Sequence, residues 1–193
     1  VTITLPRIDV TDAIAVGRLV KSFTDGSAPL TGIVHCAAVL DDRPVGDVDG
    51  ASFARVWGPK AEGAWWLDRA CRDAGAPLEL FLLVSSISSV LGLTGQAAYA
   101  TANAFLDGLA AARRADGLPG TSVNLGVLGD YAGMSKRSDD NRVVLDVLST
   151  HGIDPVRLQP LLAALDATLG QDATQRAIVR LDWSKYLRAH PHP

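Results

Sequence analysis

The most restrictive feature of this chain is the apolar run Leu78 to Val84, LELFLLV, interrupted by a single glutamate. It is far too short to cross a bilayer. A continuous run of this kind, rather than an alternating one, is expected of a central parallel strand covered by helices on both faces. The flanking segments fit. Before it, ASFARVWGPKAEGAWWLDRACRDAG (51–75) predicts a helix interrupted near Gly58-Pro59 and ending at Gly75. After it, QAAYATANAFLDGLAAARRADG (96–117) predicts the clearest helix, alanine-rich, with arginines near its C-terminal end and Gly117 as terminator.

The rest alternates in the same way. VTITL (1–5), LTGIVHCAAVL (30–40), TSVNLGVL (121–128) and RAIVRLDW (176–183) predict strands, the second running into a loop. TDAIAVGRLVKSF (11–23), RVVLDVLSTHG (142–152) and RLQPLLAALDATLG (157–170) predict helices, the last with Pro160 in its first turn. GDYAGMSKRSDDN (129–141) is polar and predicts a loop, and RAHPHP (188–193) a linker tail. The expected fold class is α/β, a doubly wound parallel sheet, with one domain over 1–187.

Composition narrows the function. With 193 residues, 48% hydrophobic and 20% charged, the chain suits one globular domain. A net charge of −3 gives no reason to expect nucleic acid or an anionic membrane as partner. Cys36 and Cys71 lack metal-ligand spacing and read as buried free thiols in a reducing, cytoplasmic setting. No metal-ligand cluster, signal peptide or membrane span is legible. The chain opens VTITLPRIDV without methionine, which suggests a piece of something longer.

The chemistry gathers around SSISSVLGLTGQAAYATAN (85–103). Ser86 lies just past a central strand, where open α/β sheets bind ligands. Tyr99 and Asn103, four residues apart, share one helix face. A serine hydroxyl beside a phenol suits polarising a carbonyl while a proton is delivered to its oxygen. A phenol titrates near ~10, so it needs a nearby cation to move between its two forms. Lys60, on the preceding helix, is the candidate. Taken singly, each is an ordinary packing, turn or surface residue; the joint spacing carries the reading.

That run resembles the active-site segment of the short-chain dehydrogenase/reductase superfamily, and more narrowly the ketoreductase domains of modular polyketide synthases. In those domains asparagine replaces the usual lysine four residues after the tyrosine, as Asn103 does here. A lysine from the earlier helix takes over, and WGPKAEGAW supplies Lys60. GIVHCAAVLDD resembles the strand and loop on the nicotinamide side, RIDV the strand end whose Asp9 approaches adenine, and RLDWSKY the closing stretch.

The resemblance implies hydride transfer from NADPH to the β-carbonyl of an acyl chain on the phosphopantetheine arm of an acyl carrier protein, among other polyketide synthase domains. Tyr99 donates the proton, Ser86 bonds the carbonyl oxygen, Lys60 lowers the phenol pKa, and Asn103 holds the network. Cofactor contacts are implied at Asp9, Val10, His35, Ala37, Ala38, Ser85, Tyr99, Leu125 and Gly126, although an ordinary packed side chain also accounts for His35. Leu40-Asp41-Asp42 matches the LDD motif of B-type members, and Leu91 stands where A-type members carry tryptophan. Two places where B-type members often carry proline and asparagine hold Thr94 and Ala98. Met134 and its neighbours 131–140 are implied as substrate contact and lid.

No G-x-G-x-x-G follows a strand anywhere in the chain, so nothing here is built to cradle a pyrophosphate. By the family pattern Val1 starts the third strand. The first two strands and the phosphate loop are then expected in an upstream segment that completes the sheet. The alternatives are a domain that keeps the fold without reducing anything, and a freestanding reductase.

Overall fold

In the computed structural model, residues 3–26, 29–129 and 146–191 are described. Four strands form a parallel sheet in the order β1 (Gly32–His35), β2 (Leu80–Ser86), β3 (Thr121–Leu125) and β5 (Gln175–Ile178). Helices join them: α1 (Ala13–Thr24) precedes β1, α2 (Gly50–Trp57) and α3 (Gly63–Asp73) lie between β1 and β2, and α4 (Ser88–Leu91) and α5 (Ala97–Ala115) between β2 and β3. Residues 146–150 are helical (α6), and α7 (Leu158–Leu169) leads to β5. The chain closes through α8 (Trp183–Ala189), two residues into the stretch read as tail. This is the expected α/β, Rossmann-like architecture. The described strands step across the sheet in sequence order, and the reversal of a doubly wound sheet does not occur among them.

β2 forms the core because both its faces are apolar. Phe81 and Leu83 pack with Leu106, Leu109 and Ala110 of α5 and Ala64 of α3. A second cluster joins Val16 and Val20 of α1 to Cys71 of α3. Each fully buried Leu, Phe or Val here contributes about 1.5–3 kcal/mol. Local signals set the ends: Asp12 accepts from the Ile14 and Ala15 amides at the start of α1, and Asp49 and Ser52 make a reciprocal capping box on α2. Gly117, at φ 74°, turns the chain out of α5.

Four expectations are corrected. VTITL forms no strand among its described residues: Ile3 and Leu5 are 79% and 87% exposed, and no described strand pairs with them. An isolated extended segment has no ladder to stabilise it. RAIVRLDW is not one strand, because the chain leaves the sheet at Val179. Arg180–Leu181 (β6) then pairs antiparallel with Ile153–Asp154 (β4). Cys36 is exposed, since it follows the last residue of β1, whereas Cys71 is buried as expected. The interruption at Gly58-Pro59 is no break: Gly58–Glu62 widen into a π-turn and the helix continues as α3. Pro59 has no N–H to give an α-type ladder, and a widened turn absorbs that loss.

Candidate active site

The site lies where β2 ends and α5 begins. The π-turn carries Lys60 inward until the residue is 3% exposed. Its Nζ donates to the Val84 carbonyl at 3.0 Å and stands 5.4 Å from the centroid of the Tyr99 ring. It makes no ion pair among the described residues. Burial therefore dominates and lowers its pKa from 10.5 to about 8, against the pull of Cys36 and Asp107.

Tyr99 sits in the first turn of α5. Burial pushes its phenol up, as does the charge of Asp42, while the Asn103 side chain and the Ser86 hydroxyl draw it down. The ammonium of Lys60 lies over the face of this ring and bonds a backbone carbonyl. The Asn103 amide nitrogen donates to the Tyr99 carbonyl at 2.8 Å, and its Oδ1 is buried with no partner among the described residues. Ser86 Oγ accepts from the Ser88 amide at 3.2 Å, which holds the hydroxyl at the β2–α4 turn. Lys60, Ser86, Tyr99 and Asn103 are thus brought together, as their spacing predicts.

The other expected residues surround this group. His35, 3% exposed, ends β1, and its Nε2 meets the Lys60 carbonyl at 2.8 Å. Burial pushes its pKa down. A methyl group placed on Gly63 would meet Val10 at 2.9 Å and His35 at 3.3 Å, so Val10, His35 and the start of α3 touch. Asp9 is exposed and its carboxylate accepts from the Thr11 amide at 2.9 Å and hydroxyl at 2.8 Å, bonds that hold its pKa down. Ala37 and Ala38 are half-buried beyond β1. Leu125 pairs with Ser86 in the sheet, and the Gly126 amide donates to Ile178.

Ser85 faces inward: its hydroxyl donates to the Asn103 carbonyl at 3.2 Å and accepts from Asn124 at 3.0 Å. Asp41 accepts from Arg43 and from Arg55 Nε at 2.9 Å, and Asp42 accepts from Gln96 at 2.8 Å. The loop of Leu40, Asp41 and Asp42 is therefore fastened to α2 and to the entry of α5. Leu91 ends α4, across the same entry. Met134 and the expected lid over 131–140 lie outside the described residues.

An ammonium has three hydrogens, and among the described residues a single acceptor meets Lys60 while the Asn103 Oδ1 has no partner. These unfilled groups at the strand ends fit the hydroxyls and amide of a nicotinamide nucleotide. Sequence reasoning missed the polar cluster behind the site, Asp107, Asn124, Ser89 and Ser122. Its one signal was Asp107 lying four residues beyond Asn103 on the same helix face.

Residues 1–130 match the KR domain family. The polyketide synthase GfsE of Streptomyces halstedii is 36% identical over 182 residues, covering 94% of this chain and 5% of that protein. The spectinabilin polyketide synthase system protein NorB of Streptomyces orinoci is 40% identical over 164 residues, 85% of this chain and 7% of its own length. Among solved structures, an A1-type ketoreductase matches 98% of this chain and 38% of its own, with 34% identity and a TM-score of 0.87. A C2-type ketoreductase from a modular polyketide synthase matches 98% of this chain and 40% of its own, at 35% identity and a TM-score of 0.83. The chain thus spans less than a tenth of these curated relatives and about two fifths of these solved ketoreductases. Two differently typed ketoreductases match about equally well, so the fold does not discriminate the type. Family match, relatives and fold converge: the chain belongs to the KR domain family, the ketoreductase domains of modular polyketide synthases within the short-chain dehydrogenase/reductase superfamily.

Proposed function

We propose that this chain carries the proton-delivering half of an NADPH-dependent ketoreductase that reduces a β-ketoacyl thioester on an acyl carrier protein to its β-hydroxy product. The observation that supports it is the convergence of Lys60, Tyr99, Ser86 and Asn103 at one sheet end. Val10, His35, Ala37 and Ala38, with the ends of β2 and β3, would hold NADPH, which would supply the hydride.

The chain's own residues manage the charge on the substrate oxygen. Burial keeps Tyr99 protonated at neutral pH, as a proton donor requires. Ser86 donates to the carbonyl oxygen and so favours negative charge developing there. The ammonium of Lys60, 5.4 Å from the ring centroid, stabilises the phenolate left once the proton has moved. Asn103 ties its turn of α5 to the Tyr99 carbonyl and fixes the ring's approach.

The fastening of Asp41 and Asp42 at the site entrance supports the LDD loop as the guide that selects the B-type face. Because no G-x-G-x-x-G occurs in these residues, this reading needs its pyrophosphate loop from an upstream segment, on the same or a separate chain, which would also pair with the edge of β1 that no described strand covers. Carrier protein and neighbouring synthase domains are the partners.

The test is Tyr99→Phe in the full-length protein, with NADPH oxidation measured on a carrier-bound β-ketoacyl thioester. Turnover is expected to fall by about 10²–10⁴-fold with the fold intact. Undiminished turnover would overturn the role of Tyr99, and no oxidation by the wild-type protein would leave a fold retained without reduction.

A further inference from the structure

Behind the site sits a half-buried carboxylate, Asp107, surrounded by neutral donors. Asp107 Oδ2 accepts from Ser89 Oγ at 2.7 Å, its Oδ1 accepts from Ser122 Oγ, and both oxygens face Asn124 Nδ2 at 3.0 and 3.1 Å. No cation pairs with it among the described residues. An ionised carboxylate only accepts, so it fixes the nitrogen face of the Asn124 amide toward itself. Gln175 completes the orientation by donating to Asn124 Oδ1 at 3.0 Å.

Counting hydrogens gives the network a direction. The Asn124 amide has two, shared between Asp107 and Ser89 Oγ at 2.8 Å on one side and Ser85 Oγ at 3.0 Å and the Ser86 carbonyl at 3.3 Å on the other. Ser85 in turn donates to the Asn103 carbonyl. Ser89, whose hydroxyl stands 2.9 Å from the Ser86 carbonyl, closes the other side. The cluster therefore touches both chain segments that bear the reacting hydroxyls: the β2–α4 turn at Ser86 and the α5 turn at Asn103, one turn beyond Tyr99.

We propose that Asp107 and Asn124 are positioning residues, which lock the end of β2 against α5 and so set where the Ser86 hydroxyl stands relative to the Tyr99 phenol. This rests on the reduction reading above and adds residues that touch neither substrate nor cofactor. A second consequence is electrostatic. The groups around the Lys60 ammonium are Tyr99 and Asp107 from α5, and His35 and Cys36 at the end of β1; Asp107 favours its charged form. Removing the charge of Asp107 is expected to move the Lys60 titration to lower pH.

The experiment compares Asp107→Asn, Ser89→Ala and Tyr99→Phe in the full-length protein by steady-state reduction, thermal melting and a pH–rate profile. Misplacement of reacting groups by a fraction of an ångström lowers kcat rather than binding. Asp107→Asn is expected to reduce kcat by ~10-fold while KM for NADPH changes less than ~2-fold, and to shift the Lys60 limb of the profile downward. Ser89→Ala, which removes one hydroxyl, gives a smaller loss of kcat at unchanged melting temperature. A folded Asp107→Asn protein with wild-type kcat and pH profile overturns the proposal. Should that variant fail to fold, Ser89→Ala decides: unchanged kcat overturns it, and reduced kcat with unchanged melting supports it. If the wild-type protein oxidises no NADPH, the reduction reading itself fails; if wild type turns over and Tyr99→Phe is inactive while Asp107→Asn behaves as wild type, only the positioning role fails.

Discussion

The two ends of α5 bury charge in opposite ways. Near its C-terminus Arg113, 1% exposed, lies against Asp68, donates to the Pro119 carbonyl at 2.7 Å and stacks 3.9 Å over the Phe81 ring. Asp68 also receives Arg72 at 3.0 Å. Every charge there has a partner. Toward the site, among the described residues, Lys60 has one backbone acceptor, the half-buried Asp107 at mid-helix has donors but no cation, and Asn103 Oδ1 has no partner. Unpaired buried charge costs several kcal/mol per ion and persists where another requirement holds it in place. The paired end is what stability selects; the unpaired end is what the proposed reduction would need for a substrate and a nucleotide.

Removing the charge at each end sharpens the contrast most. Lys60→Met is expected to lower turnover by about 10²–10⁴-fold, since the phenolate loses its counter-charge, while the melting temperature holds or rises. A fall in melting temperature would place Lys60 among the stabilising residues. Asp68→Asn is expected to do the reverse, costing about 3–5 kcal/mol in a denaturant melt because Arg113 is left buried without its anion, with kcat of the folded protein unchanged.

The pH dependence of stability gives the next largest effect. Below pH 8 Lys60 is charged in folded and unfolded chains alike, so its burial penalty is fully present. Between its folded pKa of about 8 and its unfolded value of 10.5 the unfolded chain binds the extra proton, so stability rises with pH. Relative to Lys60→Met, the wild-type protein should gain ~3 kcal/mol across that window. A flat difference curve would mean that the ammonium is solvated. The smallest effect is local: Gly63→Ala places a methyl group 2.9 Å from Val10 and should cost about 1–3 kcal/mol in a thermal melt, with a raised KM for NADPH if that loop holds the nucleotide. Unchanged stability and KM would show that the loop gives way freely.

The same contrast explains what the sequence made legible. β2 and α5 were readable because local pattern within single elements determines them, and Lys60, Ser86, Tyr99 and Asn103 were singled out by their joint spacing and the family resemblance. VTITL alternates like a strand, yet a strand exists only through its neighbour, and Ile3 and Leu5 have none. The split of RAIVRLDW at Val179 depends on Arg180–Leu181 finding Ile153–Asp154 instead of the sheet, a pairing between distant segments. The Asp107–Asn124 and Asp68–Arg113 clusters join residues 17 and 45 positions apart, and beyond the helical spacing of Asp107 from Asn103 no local period announces them. The π-turn left a visible mark, Gly58-Pro59, whose consequence became plain only when the helix was seen to continue.

The most direct test of the central claim, a buried and unpaired ammonium beside the phenol, is the titration of Lys60 by carbon-13 NMR of lysine side chains, assigned by its loss in Lys60→Met. A midpoint near pH 8 is expected, from a pKa lowered by burial. A midpoint at or above the ordinary value of 10.5 would mean that Lys60 is solvated or paired, and would contradict the account.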